Sequence, residues 1–156
     1  MSRRRAAGFT IVELLTVMIV IGVLASIALL KYIDLRHRAR AAAAAGDLQA
    51  VRIAAYSAWY ETGSWPAEVG PGVVPPGLVQ YLPQNFSFTP ADYTLDWESF
   101  VPPGGGPSAG MQVGVVITSS DPRLRTALQQ QLGTRLPFVM VGGTLTFVIV
   151  GPDGGN

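Results

Sequence analysis

Between Phe9 and Leu30 the chain runs for 22 residues with a single charged side chain, Glu13. A helix of that length rises roughly 33 Å at 1.5 Å per residue, enough to cross the ~30 Å hydrocarbon layer of a bilayer. Arg3, Arg4 and Arg5 precede the run. The positive-inside rule then keeps residues 1–8 in the cytoplasm and sends everything after Leu30 outward. Lys31 and the Arg36, Arg38, Arg40 cluster fall at the far interface, where long basic side chains snorkel to lipid headgroups.

The rest of the composition fits one anchored domain. Of 156 residues, 49% are hydrophobic and 13% charged, too apolar for a disordered chain. The net charge of +1 hides an asymmetry. Residues 31–60 hold five basic against two acidic side chains, and residues 61–156 three against seven. The mildly acidic bulk argues against nucleic-acid binding and makes a membrane surface the partner of the basic end. Cysteine is absent, which excludes disulfides and thiolate metal sites.

A secretory signal peptide would use the arginines as its basic region and Ser26-Ile27-Ala28 as its cleavage site. An acid inside the apolar run, and the length of that run, both disagree. A plain signal-anchor helix leaves Glu13 equally unexplained, since a carboxylate near the bilayer core costs about 2.5–3.5 kcal/mol without a partner. Cleavage between Gly8 and Phe9 would supply one. The new α-amino group at Phe9 lies four residues, one helical turn, before Glu13. Ammonium and carboxylate would neutralise each other within one helix or between neighbouring helices, and a misaligned neighbour would leave an unpaired buried charge.

Gly8-Phe9-Thr10-Ile11-Val12-Glu13, behind a short basic leader and ahead of an unbroken apolar helix, resembles the prepilin signature of type IV pilins and type II secretion pseudopilins. The resemblance covers residues 3–30. It implies cleavage after Gly8 by prepilin peptidase, N-methylation of Phe9, and guidance of subunit docking by Glu13. Gly22 matches a glycine common in these helices, and many members have proline where this chain has Leu30. The implied partners are other copies or other pilin-like subunits in a helical filament, an inner-membrane platform protein and, indirectly, an assembly ATPase. The implied location is the bacterial inner membrane, single-pass, with the carboxy-terminal domain periplasmic. After assembly the protein would lie in a periplasmic or extracellular filament.

Past Leu30 helical character continues to Thr62, with Ile33, Ala41, Ala44, Leu48, Val51, Ala55 and Ala58 forming one apolar stripe. Gly63 and Pro66 end it. The Ala41–Ala45 run is explained by helix propensity, with close helix–helix approach as the sharper alternative. The expected organisation is a leader over 1–8, a transmembrane helix over 9–30, its amphipathic continuation over 31–63, and a globular domain over 64–156. In that domain, 64–92 reads as an irregular packed loop anchored by Trp65, Tyr81, Phe86 and Phe88. Strands are expected at Tyr93–Phe100 and Gln112–Thr118. A short helix after Asp121-Pro122 should stop at Gly133, and a hairpin should turn at Gly142-Gly143. The fold class is α+β, a long helix packed on a small antiparallel sheet, as in pilins.

Nothing in the residues supports catalysis or a cofactor. His37 has no second histidine for a metal site and reads as solvated or interfacial. A helix cap accounts for Asp121, a polar sheet face for Asp92, Asp96 and Glu98. Gly104–Gly106 and Gly154-Gly155 lack the lysine of a phosphate loop. Major pseudopilins often hold calcium in a carboxy-terminal loop, but Asp153 is the only acid in this tail, so no metal is expected. The function these features point to is a structural filament subunit. The alternative is a signal-anchored periplasmic binding module that works as a monomer.

Overall fold

The computed structural model describes residues 9–100, 112–133, 138–141 and 144–150. Two units divide the chain, Met1–Arg36 and His37–Asn156.

Among the described residues of the first unit lies the start of helix α1, which spans Ile11–Thr62 and runs unbroken through Leu30. Every residue from Phe9 to Tyr32 is exposed. The polar side chains here are not left bare. Thr16 Oγ1 donates to the Val12 carbonyl at 2.8 Å, and Ser26 Oγ to the Gly22 carbonyl at 2.9 Å. Bonds to the preceding turn let hydroxyls enter lipid without unsatisfied donors.

The second unit is an α+β layer. Strands β1 (Thr94–Phe100), β2 (Gln112–Thr118), β3 (Phe138–Val141) and β4 (Thr144–Val150) form one antiparallel sheet in the order β1-β2-β4-β3. The β3–β4 pairing bears out the expected hairpin, and its Gly142-Gly143 turn lies outside the described residues. Helix α2 (Pro122–Leu132) has Asp121 as N-cap, accepting the Arg123 N–H at 2.9 Å, and ends at Gly133 with φ 52°. These are the start and stop read from the sequence.

One core joins the distal part of α1, one face of the sheet and α2. From α1 come Ala41, Ala44, Leu48, Val51, Ala55 and Ala58, as the stripe predicted, and also Ala54. Ile33, expected on that stripe, lies in the first unit and is only half-buried. The sheet contributes Trp97 and Phe147 with no exposed surface, and α2 contributes Leu124, Leu128 and Leu132. The buried alanines therefore serve the core-facing stripe read from the sequence. They share one core cluster with the large side chains of Trp97, Phe88 and Phe147, and small residues beside large ones let a core pack densely. Tyr56 adds a polar tie, its hydroxyl donating to the Ile149 carbonyl at 3.1 Å.

The loop over 64–92 is anchored as expected. Phe88 is buried, and Trp65, Tyr81 and Phe86 pack against the core. A single 3₁₀ turn at Pro76–Leu78 additionally buries Leu78. Beyond packing, this loop closes the outer edge of β1. The Leu95 N–H donates to the Phe88 carbonyl at 2.8 Å, and the Leu95 carbonyl accepts the Gly72 N–H at 2.8 Å. Trp97 Nε1 donates to the Pro66 carbonyl at 3.0 Å, and Glu68 Oε2 accepts the Ser99 N–H at 3.3 Å. Gly72 sits at φ 77°, and a Cβ there would lie 2.6 Å from Thr89 Cγ2, so glycine is what lets the loop come this close.

Candidate assembly site

The amino-terminal end of α1 is built by Thr10. Its carbonyl accepts the first helical hydrogen bond, from the Leu14 N–H at 3.2 Å. Its hydroxyl accepts the Glu13 N–H at 3.2 Å. In return Glu13 Oε2 accepts the Thr10 N–H at 2.9 Å and the Thr10 hydroxyl at 2.8 Å. This is a reciprocal capping box, the Thr-x-x-Glu spacing satisfying free donors at the helix start. The sequence reading assigned Glu13 only to a future amine and passed over this nearer partner, although Thr10-Ile11-Val12-Glu13 spells the pattern.

Phe9 stands just before the cap and is 77% exposed. Gly8, the other half of the expected processing site, lies outside the described residues. In the uncut chain the Phe9 nitrogen is an amide, so Thr10, not an amine, is the group on the Glu13 carboxylate.

Residues 3–29 match a family model described as the prokaryotic N-terminal methylation motif. The chain carries a prepilin-type signal. The match bears on the amino-terminal segment, and it agrees with the resemblance seen in Gly8 through Glu13. No curated protein and no solved structure matches the chain. The prepilin-type signal is the motif on which prepilin peptidase acts and through which pilin-like subunits assemble. Its apolar part is also the one helix among the described residues long and apolar enough to cross a membrane.

The remaining candidates lie in the second unit. His37 is not simply solvated. It is half-buried, with Nδ1 3.5 Å from Asp121 Oδ2. Asp121 thus does more than cap: one oxygen holds the helix start and the other faces an imidazole from α1. The capping N–H of Arg123, and secondarily His37, hold its carboxyl below the usual range. Arg40 pairs with Asp92 at 3.1 Å, so Asp92 is tied to α1 and is not part of an open polar face. The Tyr93 hydroxyl donates to Asp47, and burial followed by that bond pushes the phenol's pKa far up.

Asp96 and Glu98 do occupy the sheet face opposite Trp97, as expected, but they are partly buried there. Desolvation raises both carboxyls, and the Glu68 carboxylate raises them further; Asp96 adds to the rise in Glu98. Asp96 Oδ1 is sequestered with no hydrogen-bond donor. Among the described residues no group of three His, Asp or Glu is placed to hold a metal ion. Asp153 lies outside them, as do Gly104–Gly106 and Gly154-Gly155.

Proposed function

We propose that this protein is a structural subunit of a type II secretion or type IV pilus-type filament, held in the inner membrane until its helix is drawn into a growing bundle. The observation that carries the reading is the conjunction at one end of α1. A methylation motif sits on a helix whose residues from Phe9 to Tyr32 are all exposed and which holds one acid in its first turn. Lipid covers such a surface before assembly, and only other apolar helices replace it without cost. At about 25 cal/mol per Å², exposing it to water would cost tens of kcal/mol. Extraction is therefore coupled to insertion among neighbouring helices. The platform protein and cytoplasmic ATPase of such systems would drive that step.

In this reading prepilin peptidase cuts between Gly8 and Phe9, the new terminus is methylated, and Glu13 sets register by meeting that amine. The capping box supplies the interim partner, so the carboxylate is never bare in the precursor. The absence of cysteine excludes the carboxy-terminal disulfide of many pilins and favours a pseudopilin or related minor subunit. The role is structural and not catalytic.

Mass spectrometry of the protein from its native membrane tests the reading. A chain beginning at methylated Phe9 is the expected result. An intact leader, or a chain beginning at Leu29, would replace it with the monomeric, signal-anchored binding module.

A further inference from the structure

The outer face of the sheet carries a concentration of negative charge that the described residues do not neutralise among themselves. Asp96 and Glu98 stand two residues apart on β1, with Glu68 of the edge-sealing loop beside them. Glu68 is engaged by Ser99, whose N–H and hydroxyl both lie 3.3 Å from its Oε2. Among the described residues neither Asp96 nor Glu98 forms an ion pair, and Asp96 Oδ1 is shut away from water without a donor. Next to them Glu98, Phe100, Gln112, Thr146 and Val148 line a hollow of about 240 Å³. A carboxylate beside an aromatic ring and an aliphatic wall is the setting that suits a guanidinium, which pairs with the acid and lays its flat face on the ring. A compact hydrated ammonium uses such a wall poorly. A metal ion would need several converging oxygens, which the described residues do not supply.

The same chain carries arginines with the opposite deficiency. Arg36 and Arg38 are exposed on α1 and have no ion pair or hydrogen bond among the described residues. The other arginines described are occupied: Arg40 by Asp92, Arg125 by the Ser119 carbonyl, Arg52 over the Tyr56 ring, and Arg123 beside Asp121. We infer that the outer sheet face of one copy docks the Arg36–Arg38 segment of a second copy, with an arginine seated in the Glu98–Phe100 hollow. The contact joins two different patches, so it is heterologous. Repeated head to tail without closing, it generates an open helical array and not a closed dimer. Unpaired charges on both sides also penalise wrong partners and wrong registers.

This inference rests on the filament reading, and the experiment separates the two. Filaments are scored from cells making the full-length chain, with leader cleavage and membrane level measured in parallel. If the unmodified chain is uncleaved or makes no filament, the filament reading itself fails. If it assembles, Glu98→Arg and the double variant Arg36→Glu with Arg38→Glu should each cut filament yield by at least about tenfold, and combining all three changes should recover most of it. Loss without recovery overturns the inference, pointing to a different protein or an inorganic cation as the occupant. Undiminished assembly of either single-sided variant overturns it as well. A second measurement does not depend on charge reversal. The chain has no cysteine, so Thr146→Cys and Ala42→Cys, made in separate copies expressed together, should form a mixed disulfide dimer on mild oxidation. Thr146 lines the hollow and Ala42 is exposed one turn beyond Arg38. Dimers of either variant alone, or no cross-link in assembled filaments, would exclude this packing.

Discussion

Glu13 Oε2 takes two hydrogen bonds from a single residue, the N–H and the hydroxyl of Thr10, at 2.9 and 2.8 Å. The acid that marks the signal is therefore already satisfied before any cut is made. Under the proposed function its later pairing with a new amine would be an exchange of partners, not the rescue of a stranded charge. Glu13→Ala should leave leader cleavage intact, since the scissile bond precedes the cap, and impair incorporation into filaments. Mature mass together with filament yield reads both, and normal filaments from that variant would refute the pairing with the new amine. Thr10→Ala should loosen the helix start by about 1 kcal/mol, seen as faster amide exchange at residues 11–13 in micelles.

At Gly8, the proposed cleavage position, side-chain size should decide the outcome. Gly8→Ala should be processed, whereas Gly8→Leu should accumulate as an uncut precursor in the membrane, visible as a heavier chain retaining Arg3–Arg5.

Asp121 links a helix cap to a histidine, and its depressed carboxyl pKa sets the sign of its pH dependence. A group held below its unfolded pKa adds stability above that unfolded value and loses it as pH falls through the folded one. Asp121→Ala should cost about 1 kcal/mol at neutral pH from the lost cap. The deficit should shrink on acidification below about pH 4, where the unfolded carboxyl protonates. Urea unfolding of the detergent-solubilised protein at both pH values measures it.

Asp96 behaves in the opposite sense. Its carboxyl is raised by burial and by Glu68, so the folded state binds the proton more tightly and ionisation opposes folding. That contribution to stability is complete below the unfolded carboxylate pKa and fades as pH rises through the folded one. Asp96→Asn should therefore raise the unfolding midpoint at pH 7 and give no advantage near pH 3. Gaining stability there at the expense of filament yield would mark Asp96 as kept for assembly.

The alanine seam predicts a contrast between near neighbours. Ala54→Leu places a large side chain against a filled core and should destabilise by about 1–3 kcal/mol. Ala42→Leu, on the exposed side of the same helix, should stay within about 0.5 kcal/mol. Thermal unfolding of both variants decides whether the small residues serve the core or only helix propensity.

Much of this architecture was legible because it is local. The Asp121 cap, the Gly133 stop, the β2 limits and the end of α1 at Gly63 are each set by residues within a few positions, and the structure has them where the sequence placed them. What stayed hidden is what pairing across the chain creates. No periodicity announces that Glu68 will stand beside Asp96, that His37 will face Asp121, or that Leu78 will turn inward from a proline-rich loop. At the amino-terminal site the opposite happened. The Thr10–Glu13 box is local and its spacing is legible, but the same Glu13 also stands one turn after Phe9, so one carboxylate fits two partners.

If the protein is held in a membrane for later assembly, as proposed, the loop laid along β1 has a consequence for copies kept at high density. Copies crowded in a membrane are prone to zip side by side through bare strand edges, an attachment that is hard to undo. With the Leu95 N–H and carbonyl already occupied from within, that shortcut is shut on the β1 side. In that setting idle molecules would drift past one another without sticking there, and a full reservoir would stay usable until a growing tip drew on it.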